Sequence, residues 1–276
     1  MAIQNLQDTV LLHNGVRMPG FGLGVFRVKD GDEVINSVRT ALANGYRMID
    51  TAAIYGNEQG VGQALRESGV PRNQVFVTSK VWNADQGYDS TLRAYDESLK
   101  RLDMEYLDLF LIHWPVKGKY VETWKALVQL YDDKRVRAIG VSNFHIHHLN
   151  DIMDATSVVP VIDQVELHPL LSQIELRAFC KEQAIQMEAW SPLMKGNLDI
   201  PVLLDIAKHH KKTPAQVVLR WHIQHEIVVI PKSIHEQRII ENSLVFDFAL
   251  TQEEMAQINA LNQNQRFGSD PDNFNF

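Results

Sequence analysis

This sequence has very little of what would tie it to an oxidising compartment or a membrane. It contains one cysteine, Cys180, among 276 residues, so neither an intrachain disulfide nor a cysteine-based metal cluster can form. No apolar run approaches the roughly 20 residues that cross a bilayer. The start, MAIQNLQDTV, lacks the basic and apolar regions of a secretory signal. These absences predict a cytoplasmic protein that makes no contact with a membrane.

Positive charge and flexible linkers are also scarce. The 27 Lys and Arg residues are outnumbered by 34 Asp and Glu residues, which gives a formal net charge of −7. Nucleic-acid-binding proteins carry basic stripes, so this balance argues against a nucleic-acid partner. No Pro-, Gly- or Ser-rich stretch divides the chain. We expect one domain over residues 1–276, which suits a single α/β barrel of about 250 residues, and we expect a monomer.

What the sequence does contain is a regular alternation of short apolar strands and amphipathic helices. The Asn14-Gly15 dipeptide predicts a two-residue β-hairpin ahead of the main fold. Strands are predicted at 20–24, 46–50, 75–80, 107–113, 136–141, 161–165, 185–189 and 227–230. Helices are predicted at 32–43, 58–67, 90–102, 121–132, 174–182, 201–210, 214–222 and, after the last strand, 251–261. Eight strands with helical spacers predict a parallel (β/α)₈ TIM barrel with an extra C-terminal helix.

A glycine-rich segment, Gly20-Phe-Gly22-Leu-Gly24, is superficially similar to a dinucleotide fingerprint. Its spacing is G-x-G-x-G, and Val25 stands where the fingerprint requires glycine or alanine. The fingerprint also requires an immediate strand–turn–helix context. We therefore interpret these glycines as sites of close backbone approach at the barrel rim.

Four polar residues fall where barrel enzymes place their chemistry, at the C-terminal ends of the strands. Asp50, Lys80 and His113 end the second, third and fourth predicted strands, and Tyr55 lies in the loop after the second. Adjacent strands are about 4.8 Å apart, so Asp50 and Lys80 are expected to meet as an ion pair beside Tyr55. Singly, such residues are ordinary caps, solvated cations or packed rings. Together on three neighbouring strands they predict a catalytic site.

This combination suits the reduction of a carbonyl group. A carbonyl carbon that receives hydride develops negative charge on its oxygen, which needs a proton donor and oriented hydrogen bonds. Tyrosine has a pKa of about 10. The Lys80 cation is expected to lower the pKa of Tyr55, with Asp50 holding the lysine in place. His113 is expected to bond to the carbonyl oxygen and orient it.

At this point the sequence resembles the aldo-keto reductase family over nearly its whole length. The matching segments, in the family's order, are MPGFGLGVF, GYRMIDTAAIYGNEQGVGQAL, FVTSKVW, YLDLFLIHWP, IGVSNF, QVELHP, EAWSPL and IPKSIHEQRIIEN. The short loops and the PDNFNF end are similar to those of prokaryotic 2,5-diketogluconate and methylglyoxal reductases. The resemblance implies NADPH as cofactor, a small carbonyl substrate, and Asp50, Tyr55, Lys80 and His113 as the catalytic residues.

The resemblance also implies a role for further positions. Ser142, Asn143 and Gln164 would bind the nicotinamide carboxamide, and Trp190, where many members carry tyrosine, would stack on the nicotinamide ring. The remaining implied contacts are Ser191 and Leu193 along the pyrophosphate, Lys232, Ser233 and Arg238 on the adenosine 2′-phosphate, Glu241 and Asn242 on the adenine, and Trp82, His113 and Trp114 on the substrate. Barrels frequently bind phosphate after the last strands. The alternative interpretation of residues 232–242 is a solvated helix in which Arg238 pairs with Glu241.

Other histidines and carboxylates suggest competing functions. His145, His147 and His148 are interpreted as polar helix surface, because no carboxylate accompanies them at a family ligand position; no metal site is predicted. A metal-dependent hydrolase could use strand-end residues, namely Asp50, His113, Asp163, Glu166 and His168. A glycosidase could use Glu188, but His113 stands where its partner carboxyl is expected. A module that senses NADPH without turnover remains a further alternative.

Overall fold

Eight parallel strands follow one another around a barrel in the computed structural model, which describes residues 3–276. Two short antiparallel strands precede them. The strands are β1 (Thr9–Leu11), β2 (Arg17–Pro19), β3 (Leu23–Gly24), β4 (Met48–Asp50), β5 (Phe76–Val81), β6 (Leu107–Ile112), β7 (Val136–Ser142), β8 (Ile162–Glu166), β9 (Gln186–Trp190) and β10 (Val228–Val229).

Amphipathic helices connect the barrel strands and cover their outer side. They are α1 (Asp32–Ala43), α2 (Glu58–Glu67), α3 (Tyr88–Leu102), α4 (Tyr120–Asp132), α5 (Ile146–Thr156), α6 (Ile174–Glu182), α7 (Pro201–His210), α8 (Pro214–Gln224), α9 (Glu236–Ser243) and α10 (Gln252–Asn259). Their apolar faces pack on the barrel in one large core that includes Trp124, Trp221 and Tyr95. None of the helices within residues 3–276 has the length and apolarity needed to cross a bilayer.

The barrel closes where its first and last strands meet. Each strand from β3 to β10 pairs in parallel with the next, and a parallel bridge joins Phe21 to Val229. The predicted strand 20–24 is observed only at Leu23–Gly24, because residues 20–22 bond to the last strand instead of to β4. A Cβ at Gly24 would lie 2.8 Å from the carbonyl oxygen of Ile230. The glycines therefore permit close backbone approach, and the predicted (β/α)₈ fold is confirmed.

The N-terminal hairpin closes the end of the barrel opposite the predicted site. β1 pairs with β2 through Thr9 and Pro19, and the backbone N–H of Leu12 donates to Val16 at 2.9 Å. The connection therefore contains three residues, His13 to Gly15, and not the two that Asn-Gly predicts. Gly15 has a φ of 86°, as expected for the left-handed last residue of such a turn.

Candidate active site

A buried ion pair lies at the C-terminal rim of the barrel. Lys80 Nζ is 2.6 Å from Asp50 Oδ1 and also donates to the carbonyl oxygen of Thr51 at 2.9 Å. The side chains of Lys80 and Asp50 are 0% and 2% exposed. Burial alone would lower the pKa of Lys80, but Asp50 and Tyr55 more than offset it, and the pKa is raised. The lysine therefore stays charged at neutral pH.

The hydroxyl of Tyr55 is 3.4 Å from Lys80 Nζ. Tyr55 ends a short 3₁₀ helix directly after β4. Buried Asn57 fixes this loop, because its amide nitrogen donates to the carbonyl oxygens of Val25 and Val28, each at 2.9 Å. Asn57 also accepts the hydroxyl of Thr51 at 2.8 Å. The sequence interpretation assigned no role to Asn57, and its position between the loop and β4 required the coordinates.

The pKa of Tyr55 moves in the direction opposite to our prediction. Burial raises it to about 12, and the attraction of Lys80 only partly offsets that effect. The free energy lost when a phenolate is removed from water exceeds the free energy gained from one nearby ammonium group. The negative charge of Asp50 further disfavours the phenolate. Tyr55 is therefore protonated at neutral pH and able to donate a proton.

His113 follows β6 and faces Tyr55. Its ring lies edge-on to that of Tyr55, with centroids 5.6 Å apart, and 5.2 Å from the ring of Trp82. Burial, and then the charge of Lys80, holds the pKa of His113 well below its usual range. The imidazole is therefore neutral at physiological pH, and its buried Nδ1 makes no hydrogen bond within residues 3–276.

Gln164 connects the ion pair to a second buried carboxyl group. Its amide nitrogen donates to Asp50 Oδ2 and to Glu188 Oε2, each at 2.8 Å. Both amide hydrogens are thus used, which leaves the amide oxygen as the group free to accept a hydrogen bond. Burial, and then repulsion from Asp50, raises the pKa of Glu188 to about 8. The sequence interpretation assigned Gln164 to the nicotinamide but missed this partner.

Three further predicted residues form one hydrogen-bonded group beside Gln164. Trp190 Nε1 donates to the side-chain oxygen of Asn143 at 2.8 Å, and the amide nitrogen of Asn143 donates to the carbonyl oxygen of His113 at 2.9 Å. Ser142 Oγ donates to the backbone carbonyl oxygen of Gln164 at 2.7 Å, so the side-chain oxygen of Gln164 stays free. The side-chain amide of Asn143 therefore fixes the orientation of the Trp190 indole ring and also contacts the backbone of His113.

A cavity of about 1320 Å³ runs across this rim. It is larger than the roughly 300–1,000 Å³ of pockets for drug-sized ligands, so it has room for a dinucleotide together with a substrate. The predicted residues that line it are Asp50, Tyr55, Trp82, His113, Trp114, Ser142, Asn143, Gln164, Trp190, Ser191, Leu193, Lys232, Ser233, Arg238, Glu241 and Asn242. Lys80 does not line the cavity and lies beneath Tyr55.

The C-terminal tail folds over one end of the cavity. Phe276 stacks on Trp82, with centroids 5.9 Å apart, and meets Trp114 edge-on at 5.2 Å. Glu166 anchors the tail by accepting the backbone N–H groups of residues 267 and 268 at 2.7 and 3.0 Å. The tail therefore covers part of the barrel mouth.

The opposite end of the cavity is positively charged. Lys232 and Ser233 follow β10, and Arg238 lies in α9. Neither Lys232 nor Arg238 forms a salt bridge within residues 3–276, and the alternative pairing of Arg238 with Glu241 does not occur there. Two free cations beside the N-terminal end of a helix suit a phosphate group.

Comparisons with known proteins agree with this arrangement. A sequence profile of the Aldo/keto reductase family matches residues 20–263. The chain is 59% identical to a glyoxal reductase of Bacillus subtilis, with 99% of each protein covered, and 47% identical to the methylglyoxal reductase DkgA of Escherichia coli, with 96% and 97% covered. A mutant of Gox0644 solved in complex with NADPH has a TM-score of 0.94 and 47% identity over 98% of this chain and 99% of that one. The protein therefore belongs to the aldo/keto reductase family.

Proposed function

We propose that this protein reduces aldehydes and ketones to alcohols with NADPH, and that Tyr55 is the proton donor. The observation that carries the proposal is the position of the Tyr55 hydroxyl, 3.4 Å from the buried Lys80 cation and on the wall of a cavity that His113 also lines. NADPH supplies the hydride when it is bound. The solved relative with NADPH and the reductases among the curated relatives support the cofactor and the reaction class.

The side chains at the rim divide the work on the carbonyl oxygen. The neutral ring of His113 donates a hydrogen bond to the oxygen and orients it. Tyr55 releases its proton to this oxygen as negative charge develops there. The cation of Lys80 stabilises the resulting phenolate, and Asp50 holds that cation in place. In the resting enzyme burial favours the neutral phenol, so Tyr55 carries its proton before each turnover.

The cofactor residues take the roles that their positions allow. Ser142, Asn143 and the free amide oxygen of Gln164 bind the carboxamide of the nicotinamide. The fixed indole of Trp190 provides the stacking surface. We assign Ser191 and Leu193 to the pyrophosphate, and Glu241 and Asn242 to the adenine, since the first two line the cavity directly after Trp190 and the last two line it from α9.

Arg238→Ala tests the assignment of Lys232, Ser233 and Arg238 to the 2′-phosphate. A charge-assisted hydrogen bond contributes about 1.5–3 kcal/mol, so we expect the Michaelis constant for NADPH to rise about 10–100-fold. The constant for NADH should stay unchanged, because NADH lacks that phosphate. Steady-state kinetics with both cofactors measure this, and Arg39→Ala, whose side chain pairs with Glu67 on the outer helices, serves as control. An unchanged NADPH constant would contradict the assignment.

Small carbonyl compounds are the expected substrates. The end of the cavity next to Tyr55 is walled by Trp82, Trp114 and Phe276, which leaves room for a short or planar group. NADPH oxidation measured with methylglyoxal, glyceraldehyde, diketogluconate, nitrobenzaldehyde and a quinone should give the highest kcat/KM with the small members. A ketosteroid tested in the same assay should be a poor substrate, and a strong preference for it would contradict this prediction.

The competing functions have less support. Within residues 3–276, the two groups of side chains close enough to share a metal lie at His145–Asp272 and at His209–Glu254, and neither is at the cavity. Glu188 is fully buried and does not line the cavity, which argues against a glycosidase. A sensor without turnover would not need a protonated Tyr55 beside a buried cation.

We also propose that the protein acts as a monomer. The large apolar side chains exposed between residues 3 and 276 number nine. Five of them line the cavity and need no partner subunit to explain their exposure: Phe26, Ile54, Leu204, Ile234 and Phe276. The other four, Leu11, Tyr88, Ile174 and Leu244, lie in or next to four different elements, which argues against a single apolar interface with a partner subunit.

A further inference from the structure

Three histidines at the start of α5 surround a carboxylate that comes from the C-terminal tail. His145 Nδ1 is 2.8 Å from Asp272 Oδ2, and His147 Nε2 and His148 Nε2 are 3.0 and 3.4 Å from Asp272 Oδ1. One ligand atom from each of the four side chains lies within 4.8 Å of the others. The sequence interpretation dismissed these histidines for want of a carboxylate; Asp272 is far away in the chain, and the fold brings it to them.

We propose that His145, His147, His148 and Asp272 form a binding site for one divalent transition-metal ion such as Zn²⁺. Three imidazoles and one carboxylate are a ligand set that Zn²⁺ accepts in tetrahedral geometry, whereas Mg²⁺ and Ca²⁺ prefer oxygen ligands alone. The cluster is outside the catalytic cavity, so this site is separate from the reductase chemistry proposed above.

Hydrogen bonds fix the tautomers of two rings in the metal-free protein. Arg266 can only donate, and it donates to His145 Nε2 at 3.0 Å, so the proton of the neutral ring is on Nδ1 and faces Asp272. The backbone N–H of His145 donates to His148 Nδ1 at 3.1 Å, so the proton of His148 is on Nε2 and also faces Asp272. The metal-free cluster is therefore a set of N–H groups directed at one carboxylate.

Metal binding requires these two protons to move to the other ring nitrogens. His145 then loses its contact with Arg266, and His148 loses the backbone bond at the start of α5. His147 has neither constraint, since its one polar contact in the described chain is with Asp272.

The electrostatic surroundings also bear on a cation. The N-terminal end of α5 and the side chain of Arg266 oppose positive charge here. Asp272 offsets them from within the cluster, and Asp151 adds a second negative charge that acts on His148. Because two favourable contacts must break first, we expect an affinity below that of structural zinc sites.

A bound ion would fasten the tail over the barrel mouth. Asp272 lies two residues before Phe274, which contacts Trp114 at 5.2 Å between ring centroids, and four residues before Phe276, which stacks on Trp82. The ion would join α5 to the segment that covers the carbonyl end of the cavity. Zinc is therefore expected to restrain the tail without contacting the reacting atoms.

Isothermal titration calorimetry of the chelator-treated full chain tests the site with Zn²⁺ alone. We expect one ion per chain, and a loss of affinity of about 10-fold or more in His147→Ala and in Asp272→Asn. His209→Ala removes a histidine of the other cluster, next to Glu254, and should bind as the wild type does. Absence of binding to the wild type, or loss of binding in His209→Ala but not in His147→Ala, would overturn the proposal.

Release of Phe276 by a serine carboxypeptidase tests the coupling to the tail. Saturating Zn²⁺ should slow the release several-fold in the wild type and leave it unchanged in His147→Ala; an equal effect in both proteins would refute the coupling. Far-UV circular dichroism of each variant excludes unfolding as the cause of lost binding, and a folded His147→Ala that binds Zn²⁺ like the wild type contradicts the site itself.

Discussion

Tyr55→Phe is expected to lower kcat for NADPH-dependent aldehyde reduction by about 10²–10⁴-fold, the usual contribution of a positioned general acid. Phenylalanine removes the hydroxyl that lies beside Lys80 Nζ and leaves water as the proton source. Burial raises the pKa of Tyr55 to about 12, so the wild-type donor is protonated throughout the neutral pH range. The loss should therefore be similar from pH 6 to pH 8, the span below that pKa. Steady-state NADPH oxidation measures it.

The substitution should leave the rest of the site intact. The ring of residue 55 keeps its contacts with Phe26, at 5.0 Å between centroids, and with His113. Binding of NADPH, followed by quenching of tryptophan fluorescence, is therefore expected to change by less than about twofold, since no cofactor contact is removed. Tyr131→Phe, in α4 and not among the residues that line the cavity, is the matched control. Full turnover in Tyr55→Phe would exclude Tyr55 as the donor.

Most of the helices, and the order of the barrel strands, were predictable from periodicity, although α5 and α9 were not among the predicted ranges. The predicted ranges 32–43, 58–67, 174–182 and 201–210 coincide with α1, α2, α6 and α7 at both ends, because the apolar face of each helix stops where its contact with the barrel stops. The ends of the strands were less predictable: the predicted strand 227–230 is observed only at β10 (Val228–Val229). A buried apolar run shows which residues are inside but not which of them form ladder hydrogen bonds.

The residues of the site were predictable, but the net effect of burial and charge on the pKa of Tyr55 was not. Strand ends placed Asp50, Lys80 and His113 at one rim, since parallel strands carry their C-terminal ends to the same side of a barrel. The direction of the Tyr55 pKa shift was wrong, because it depends on how deeply the phenol is buried, and a sequence does not give that depth. Glu188 was missed as a partner for the same kind of reason. Its meeting with Gln164 follows from the register of β8 and β9.

Lys80→Met is expected to lower kcat by about 10²–10³-fold, the usual cost of losing one group that stabilises developing charge, and also to destabilise the fold. The side chain of Lys80 is fully buried and directly bonded to Asp50. Removal of one partner from a buried ion pair typically costs about 3–5 kcal/mol of unfolding free energy, because the other charge is left uncompensated. The phenolate of Tyr55 loses its nearest cation at the same time. Urea denaturation measures the stability, and single-turnover kinetics measure the chemical step.

The double substitution Asp50→Asn with Lys80→Met separates these two effects. Asparagine removes the buried anion and still offers an oxygen to the amide of Gln164, so most of the lost stability should return. Activity should not return, because no cation remains beside the Tyr55 hydroxyl. If the double variant recovers stability and turnover together, Lys80 serves the fold alone and another group stabilises the phenolate. If Lys80→Met retains full stability, the ion pair of Lys80 with Asp50 does not stabilise the fold, and the structural part of this prediction is wrong.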